Sequence, residues 1–524
     1  MPGDTRRRAE VPPRAGRREW IGLAVIALPC VLYSMDLTVL NLAVPMLSAD
    51  LQPSGAQLLW IIDIYGFLVA GSLITMGTLG DRIGRRRLLL IGAAAFGIAS
   101  VVAAFSTSAG MLIATRALLG LAGATLAPST LSLIRNMFLD PRQRTVAIGV
   151  WVTSYSVGGA IGPLLGGIAL QYFWWGSVFL LGVPVMLLLL VLGPVLLPEF
   201  RNPRAGRLDL TSAAMSLAAV LLMIYGLKRI AVDGPGWPAA VSILAGVALG
   251  VAFARRQRQL ADPLIDLRLF RAPGFSASLA VYLLGTLVAF GAYIFIAQYL
   301  QLVLGLAPLQ AGLATVPSML AFVAGSIIVP VITRRVRPPL AMAGGLVLAS
   351  VGFGVLAQVD GGSGLAVLIA GSVIYSIGIS PVVILATDLI VGSAPVERAG
   401  AASAISETSS ELGGALGIAI LGSVGTAVYR SHMADAIPAM VPPEAAEAAR
   451  ATLGGALAVA QRLPEHVAAT LIAQARGAFL DAFQLVAMIC AGVVLVTALL
   501  TAIRLRSVSG PASSPGQPVT GGGA

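Results

Sequence analysis

Charge is scarce in this sequence: Asp, Glu, Lys and Arg make up 11% of its 524 residues, against about 25% in an ordinary soluble domain. With 57% of the residues hydrophobic, a soluble fold of this length has nowhere to hide its apolar surface, and a polytopic membrane protein is expected. Histidine and cysteine are nearly missing, with two of each. Cys30 and Cys490 lie far apart in apolar runs and read as packing residues. His432 and His466 fall in one polar loop and read as solvated side chains. Neither a disulfide framework nor a metal site is supported. No nucleophile and base stand in a catalytic constellation, so an enzyme, a catalytic residue and a bound cofactor are not expected. Lysine is almost absent, Lys228 being the only one among 34 basic residues; with so much Ala and Gly this points to a GC-rich bacterial genome.

What the sequence does have is fourteen windows of about 20 apolar residues, the first near 21–46 and the last near 477–504. With the N-terminal tail placed inside, 27 of the 34 basic residues fall in inside segments, six fall outside, and Arg116 lies within a span. That asymmetry is the positive-inside rule and puts both termini in the cytoplasm. The net charge of +11 therefore reports topology, and no nucleic-acid partner is expected. The first apolar run is too long for a signal peptide and is expected to remain as an uncleaved anchor in the inner membrane.

The two halves echo each other. VGGAIG at 157–162 returns as LGGALG at 412–417, each after a Pro-x-x-Arg, Pro141 to Arg144 and Pro395 to Arg398; transporter repeats leave such traces. The chain then divides into a basic tail (1–20), a six-helix bundle (21–200), a linker with two inserted spans (201–272), a second six-helix bundle (273–506) and a disordered tail (507–524). The second bundle holds an outer loop, 430–476, expected to form two short helices around VPPEAAEAA and PEHVAA. A monomer surrounded by membrane lipids is the expected assembly.

Charges inside the spans ask for a reason, because a lone charge at bilayer depth costs several kcal/mol. Asp36, Asp63 and Arg116 share the outer half of one bundle by helix rise, with only Thr38 and Asn41 close to Asp36 along its helix. Arg116 either pins its helix to backbone carbonyls or competes with a proton for Asp36 in one conformation and releases it in another. Glu407 and Glu411, four apart, share a helix face; two carboxylates so close are not both ionised cheaply, so one is expected to hold a proton near neutral pH. The bland alternative for this pair is a polar seal between bundles. Asp388, near the end of its span, reads more readily as reaching the headgroup zone than as a gate contact. Tyr33, Trp60, Tyr65, Trp151 and Tyr155 lie on the same few helices as the acids, and ring faces with carboxylates suit a lipophilic cation.

The cytoplasmic loop GTLGDRIGRRR, 77–87, combines glycines for a tight turn, an aspartate able to accept from a neighbouring helix end, and arginines suited to the headgroup zone. Its spacing, carried by Gly77, Asp81, Arg82, Gly84 and Arg85, resembles the signature loop of the major facilitator superfamily. SVGGAIGPLLGG at 156–167 is similar to the antiporter motif of that superfamily's exporters. In it Gly158, Gly162 and Gly166, and beside them Gly159, Pro163 and Gly167, form two stripes without bulk. MDLTVLNLAVP, LLWIIDIYGF and the segment 386–417 are similar to the fourteen-helix drug:proton antiporters.

The resemblance implies an all-α fold of two six-helix bundles plus two inserted helices, working by alternating access on the proton motive force. It implies export of lipophilic cations such as quaternary ammonium compounds and dyes, with fluoroquinolones a further candidate, and a proton-coupling role for Arg116. The tenth span has no acidic residue, whereas members of the branch with good divalent-cation transport carry one there, so mainly monovalent cations are expected. The alternatives are a narrow exporter of a natural product or siderophore, and a lipid transporter.

Overall fold

The computed structural model describes residues 14–53, 55–201, 209–233, 236–260, 263–360, 364–395, 398–434, 436–437 and 441–504. The tail expected at 507–524 and residues 1–13 of the basic tail lie outside them. The first half comprises α1 (Arg17–Leu51), α2 (Gly55–Ile83), α3 (Arg85–Ala104), α4 (Ala109–Gly123), α5 (Leu126–Met137), α6 (Pro141–Tyr172), α7 (Ser177–Leu180) and α8 (Gly182–Leu196). Next come α9 (Leu210–Asp233) and α10 (Trp237–Gln259). The second half comprises α11 (Pro273–Gln298), α12 (Pro308–Ile332), α13 (Pro338–Leu356), α14 (Gly364–Ser393), α15 (Ala399–Met433), α16 (Pro443–Ala451), α17 (Leu453–Ala460) and α18 (Glu465–Arg504). Fourteen stretches among the described residues are long and apolar enough to cross a membrane. The described elements are all helical.

Local chemistry sets the ends. Asp140 accepts from the backbone N–H groups of Arg142 and Gln143 at the start of α6, with Pro141 in the first position. Prolines also open α11, α12 and α13, where their missing N–H leaves no bond unmade. The fourth span is two helices rather than one, interrupted at Ala124 and Thr125, where Thr125 Oγ1 donates to the Ala122 carbonyl at 2.7 Å.

Two matching contacts organise the bundles: α1 packs along α6, and α11 along α15. A Cβ at Gly158 would collide with the Val31 carbonyl of α1, and one at its counterpart Gly413 with the Leu283 carbonyl of α11. The sequence echo is thus one packing device used twice. In lipid, where apolar helices gain nothing by leaving water, such backbone approach supplies the adhesion. The bundles meet along α2 with α15 and α6 with α12.

The inserted pair attaches to one of these seams. Helix α9 packs against both α2 and α15, and α10 packs on α9. Phe67 and Ala70 of α2 form a small separate core with Ile224 of α9, and Ala415 of α15 packs against it. At the base of the pair, Arg256 holds Asp209 through two bonds of 2.8 and 3.2 Å, and with Ser212 keeps the Asp209 carboxyl well below the usual carboxylate range. Gln257 bonds Ser212 at 2.8 Å and accepts from the Leu264 N–H at 2.7 Å, and Asp266 pairs with Arg398 beside α15 at 3.0 Å.

The outer loop departs from expectation in one place. VPPEAAEAA opens α16, but PEHVAA opens the 40-residue α18. No Pro or Gly interrupts Glu465 to Arg476, so the helix continues into the membrane. The second short helix is α17, held near α16 by Thr452, which accepts from the Gly455 N–H at 3.0 Å.

Candidate functional site at the bundle interface

The carboxylate inside α1 has its partner: Asp36 Oδ2 lies 2.6 Å from Arg116 Nη1. Ser108 caps α4 by accepting from Met111 N–H, and Gly120 lets that helix sit against α2, since a Cβ there would fall 2.6 Å from the Tyr65 carbonyl. This approach carries Arg116, 1% exposed, between α1 and α2. Its Nε donates to the Ile61 carbonyl at 3.1 Å, and its guanidinium stands 4.7 Å from the centre of the Tyr65 ring. The pinning reading, which expects carbonyls of the first helix, finds its carbonyl on α2 instead, and the reading through Asp36 has its partner on α1. Asp63 is half-buried; two residues beyond Ile61, it lies roughly 200° around the helix and on a different face.

One turn from Asp36, Tyr33 joins the two halves. Its hydroxyl donates to Glu411 Oε1 on α15 at 3.3 Å. Its ring lies 6.0 Å from Tyr65 and 5.7 Å from Tyr155, and Tyr155 meets Trp151 edge-on at 4.9 Å. Trp151 Nε1 donates to Thr130 Oγ1 at 2.9 Å, which fixes the indole. One turn toward the Arg-rich end, Glu407 Oε1 is buried with no hydrogen-bond partner among the described residues. Four of the five aromatics expected near the acids are thus brought together. Trp60 is not: it is 46% exposed and sits edge-on to Phe67 at 6.3 Å. Phe67 lies one heptad along α2, so both rings share the face turned toward α9.

The glycine stripes of α6 behave unequally. Gly158 and Gly166 face Val31 and Val39 of α1, with Gly162 buried between them. Gly159 lies near Ser34, a Cβ there falling 3.4 Å from its hydroxyl, whereas a Cβ at Gly167 would meet nothing within 4 Å. Pro163 lies within the same continuous helix.

At the Arg-rich ends the signature loop closes the α2/α15 seam. Asp81 pairs with Arg85 and accepts from the Ala401 N–H at 3.3 Å, at the amino end of α15 where partial positive charge collects. Arg85 corrects the expectation that the loop arginines sit among headgroups: it is 2% exposed and its Nη1 donates to the Gly77 carbonyl at 2.9 Å. The space exists because Gly400 lacks a side chain, where a Cβ would overlap the guanidinium, while the bare Gly77 lets α15 come close, a Cβ there falling 2.5 Å from the Gly400 carbonyl. Arg82 stays half-exposed. Gly84 turns the chain from α2 to α3 at φ 114°, a left-handed conformation that glycine adopts freely, and Glu199 accepts from the N–H groups of Arg86 and Arg87 beside it.

Sequence reasoning undervalued Asp388. It does not reach for the headgroups: Arg144 Nε of α6 bonds its Oδ1 at 2.6 Å and Thr145 Oγ1 donates to its Oδ2 at 2.9 Å, an ion pair across the α6/α14 contact. The Pro-x-x-Arg echo was the available signal, since Arg144 and Arg398 both take an aspartate. Asp388→Asn is expected to loosen this end. A cysteine introduced at Ser326, buried at the α6/α12 seam, in a background lacking Cys30 and Cys490, is expected to react about tenfold faster with an impermeant thiol reagent applied from the Arg-rich side, as losing about 1.4 kcal/mol of closing energy implies. An unchanged rate would mean that the pair does not hold the closed ends.

Two helical bundles, with ionisable and aromatic side chains meeting at their interface, define a polytopic membrane transporter. The Major Facilitator Superfamily profile matches residues 26–418, and the chain belongs to that family. It is 43% identical over 493 residues to the multidrug efflux pump LfrA of Mycolicibacterium smegmatis, covering 94% of this chain and 97% of that one. It is 37% identical to the methyl viologen resistance protein SmvA of Salmonella typhimurium (88% and 93% covered). A tetracenomycin C resistance and export protein of Streptomyces glaucescens is 31% identical (92% and 90% covered). Among solved structures, the human organic anion transporter MFSD10 superposes with a TM-score of 0.56 at 17% identity, over 92% of this chain and 99% of that one; this likeness concerns the fold.

Proposed function

We propose that this transporter exports lipophilic, mainly monovalent cations from the cytoplasm in exchange for protons, by alternating access. The observation that carries the reading is the meeting of Glu407, whose buried oxygen has no partner among the described residues, and Glu411 with the Tyr33, Tyr155 and Trp151 rings at the bundle interface. A delocalised cation is attracted to anionic oxygens and to ring faces alike. The names of the relatives support drug export: a multidrug efflux pump and a methyl viologen resistance protein. Both termini are taken as cytoplasmic and the protein as a multi-pass monomer of the bacterial inner membrane.

The cycle follows from differential binding. A cation entering from the cytoplasm or inner leaflet is held by deprotonated Glu407, Glu411 or Asp36 and favours the outward state. In that state the ion pairs at the cytoplasmic ends, Asp388 with Arg144 and Asp81 with Arg85, are closed. Protons arriving from outside neutralise the carboxylates and release the cation, so the proton motive force supplies the work and no resident cofactor is needed.

Helix α12 brings no acidic residue, which supports monovalent substrates; the methyl viologen of the SmvA name is a dication and makes the natural comparator. The test is transport by the purified chain in proteoliposomes with an imposed pH gradient. Gradient-dependent ethidium movement, several-fold faster than that of methyl viologen, is expected. No ethidium movement at any gradient would overturn the exporter reading; equal rates would overturn the valence preference. The tetracenomycin relative favours a second reading, export of one natural product, and the same vesicles loaded with neutral polyketides would separate the two.

A further inference from the structure

Between α6, α11, α12 and α14 lies a cavity of about 160 Å³ that the cation site does not use. Helix α6 contributes Ser156, the residue after Tyr155, so the cavity adjoins the aromatic cluster. The hydroxyl-bearing residues Ser156, Tyr293, Thr315, Ser318, Ser372, Tyr375 and Ser376 line it, and no Asp, Glu, Lys, Arg or His does. An ion placed here would lose its hydration and meet no counter-charge, whereas an uncharged polar molecule would find partners.

The hydroxyls have a direction. Thr315 Oγ1 donates to the Gly312 carbonyl at 2.7 Å and Ser318 Oγ to the Thr315 carbonyl at 2.8 Å. Both have spent their protons on their own helix and can offer only lone pairs. Ser372 is 6% exposed and its Oγ is buried behind the cavity wall, so it presents no donor to the cavity. Phe322 and Tyr375, the latter stacked on Phe353 at 5.0 Å, add flat apolar surface. A cavity of about 150 Å³ takes one benzene ring.

We propose that this cavity is a second substrate subsite, which binds one uncharged aromatic ring bearing a hydroxyl. The ligand hydroxyl donates to Ser318 or Thr315. The proposal rests on the exporter reading for its role in transport. Ser156 belongs to the first bundle and the other hydroxyls to the second, so a bound ring favours the arrangement of bundles seen here.

The test uses the full chain in detergent and two probes, 4-hydroxyacetophenone and acetophenone, titrated calorimetrically, with ethidium binding followed by fluorescence in the same preparation. The hydroxylated ketone is expected to bind at least tenfold more tightly. Ser318→Ala is expected to weaken it about threefold to tenfold, the worth of one hydrogen bond, and to leave ethidium binding unchanged. Ala314→Phe, which fills the cavity, is expected to abolish ketone binding while retained ethidium binding reports an intact fold. Equal affinity for the two ketones, or indifference to both the serine and the filling variants, would overturn the subsite. A wild-type chain that discriminates the ketones but binds no ethidium would overturn the cation reading instead.

Discussion

Glu407→Gln is expected to abolish gradient-driven ethidium transport while leaving expression and melting temperature near those of the parent. The amide has the shape of the acid, so the packing of α15 survives, and Oε1 has no hydrogen bond to lose among the described residues. What disappears is a group that can exchange a proton for a cation. An interaction with a charged group contributes about 1.5–3 kcal/mol, so ethidium affinity is expected to fall by about tenfold to a hundredfold, with no remaining response to the pH gradient. Glu411→Gln makes the comparison: its oxygen already accepts from Tyr33, and a partial loss is expected. Proteoliposome transport and equilibrium binding on the same variants separate the two effects. Full gradient-driven transport by Glu407→Gln and by Asp36→Asn together would sink the coupling scheme.

Arg116→Gln is expected to be the most damaging single change to stability. It leaves the Asp36 carboxylate, 13% exposed at its side chain, without its counter-charge, and breaking a buried pair by removing one partner costs about 3–5 kcal/mol. The double variant Asp36→Asn with Arg116→Gln removes both charges and is expected to recover most of the lost melting temperature, so the double-mutant cycle has a large coupling energy. Transport then distinguishes the two roles of Arg116. If the arginine only pins α4 to the Ile61 carbonyl and to Asp36, the recovered double variant moves ethidium in response to the gradient. Under the proposed exchange it is expected to remain folded and uncoupled, because the charge that a proton competes for is gone.

Much of this was legible in order along the chain. Hydropathy alone located the spans, because a bilayer demands about 20 apolar residues wherever it is crossed. The glycine echo at 157–162 and 412–417 anticipated matching helix pairs, because only a missing Cβ allows the α1/α6 and α11/α15 backbones to approach as they do. Asp36 and Arg116 announced each other, since neither charge is tolerable alone in the membrane. The break of the fourth span at Thr125 and the continuation of α18 through PEHVAA were less visible; both turn on how one segment is held by its neighbours, and propensity states that weakly.

The amino-acid sequence by itself determined that this is a membrane-spanning, helical protein, how many times it crosses, and which few polar residues it must accommodate there; each follows from the cost of apolar surface in water or of charge in lipid, and needs no knowledge of partners. The tertiary structure decided which of those residues meet. It placed Tyr33 between Glu411 and the rings, turned Trp60 away with Phe67, drew Arg85 into the space left by Gly400, and set Arg144 against Asp388. The contacts between bundles, Tyr33 with Glu411, Arg85 with Gly400 and Arg144 with Asp388, join residues hundreds of positions apart, and they depend on helix rotation and on which bundles face one another, which periodicity along a single helix does not encode.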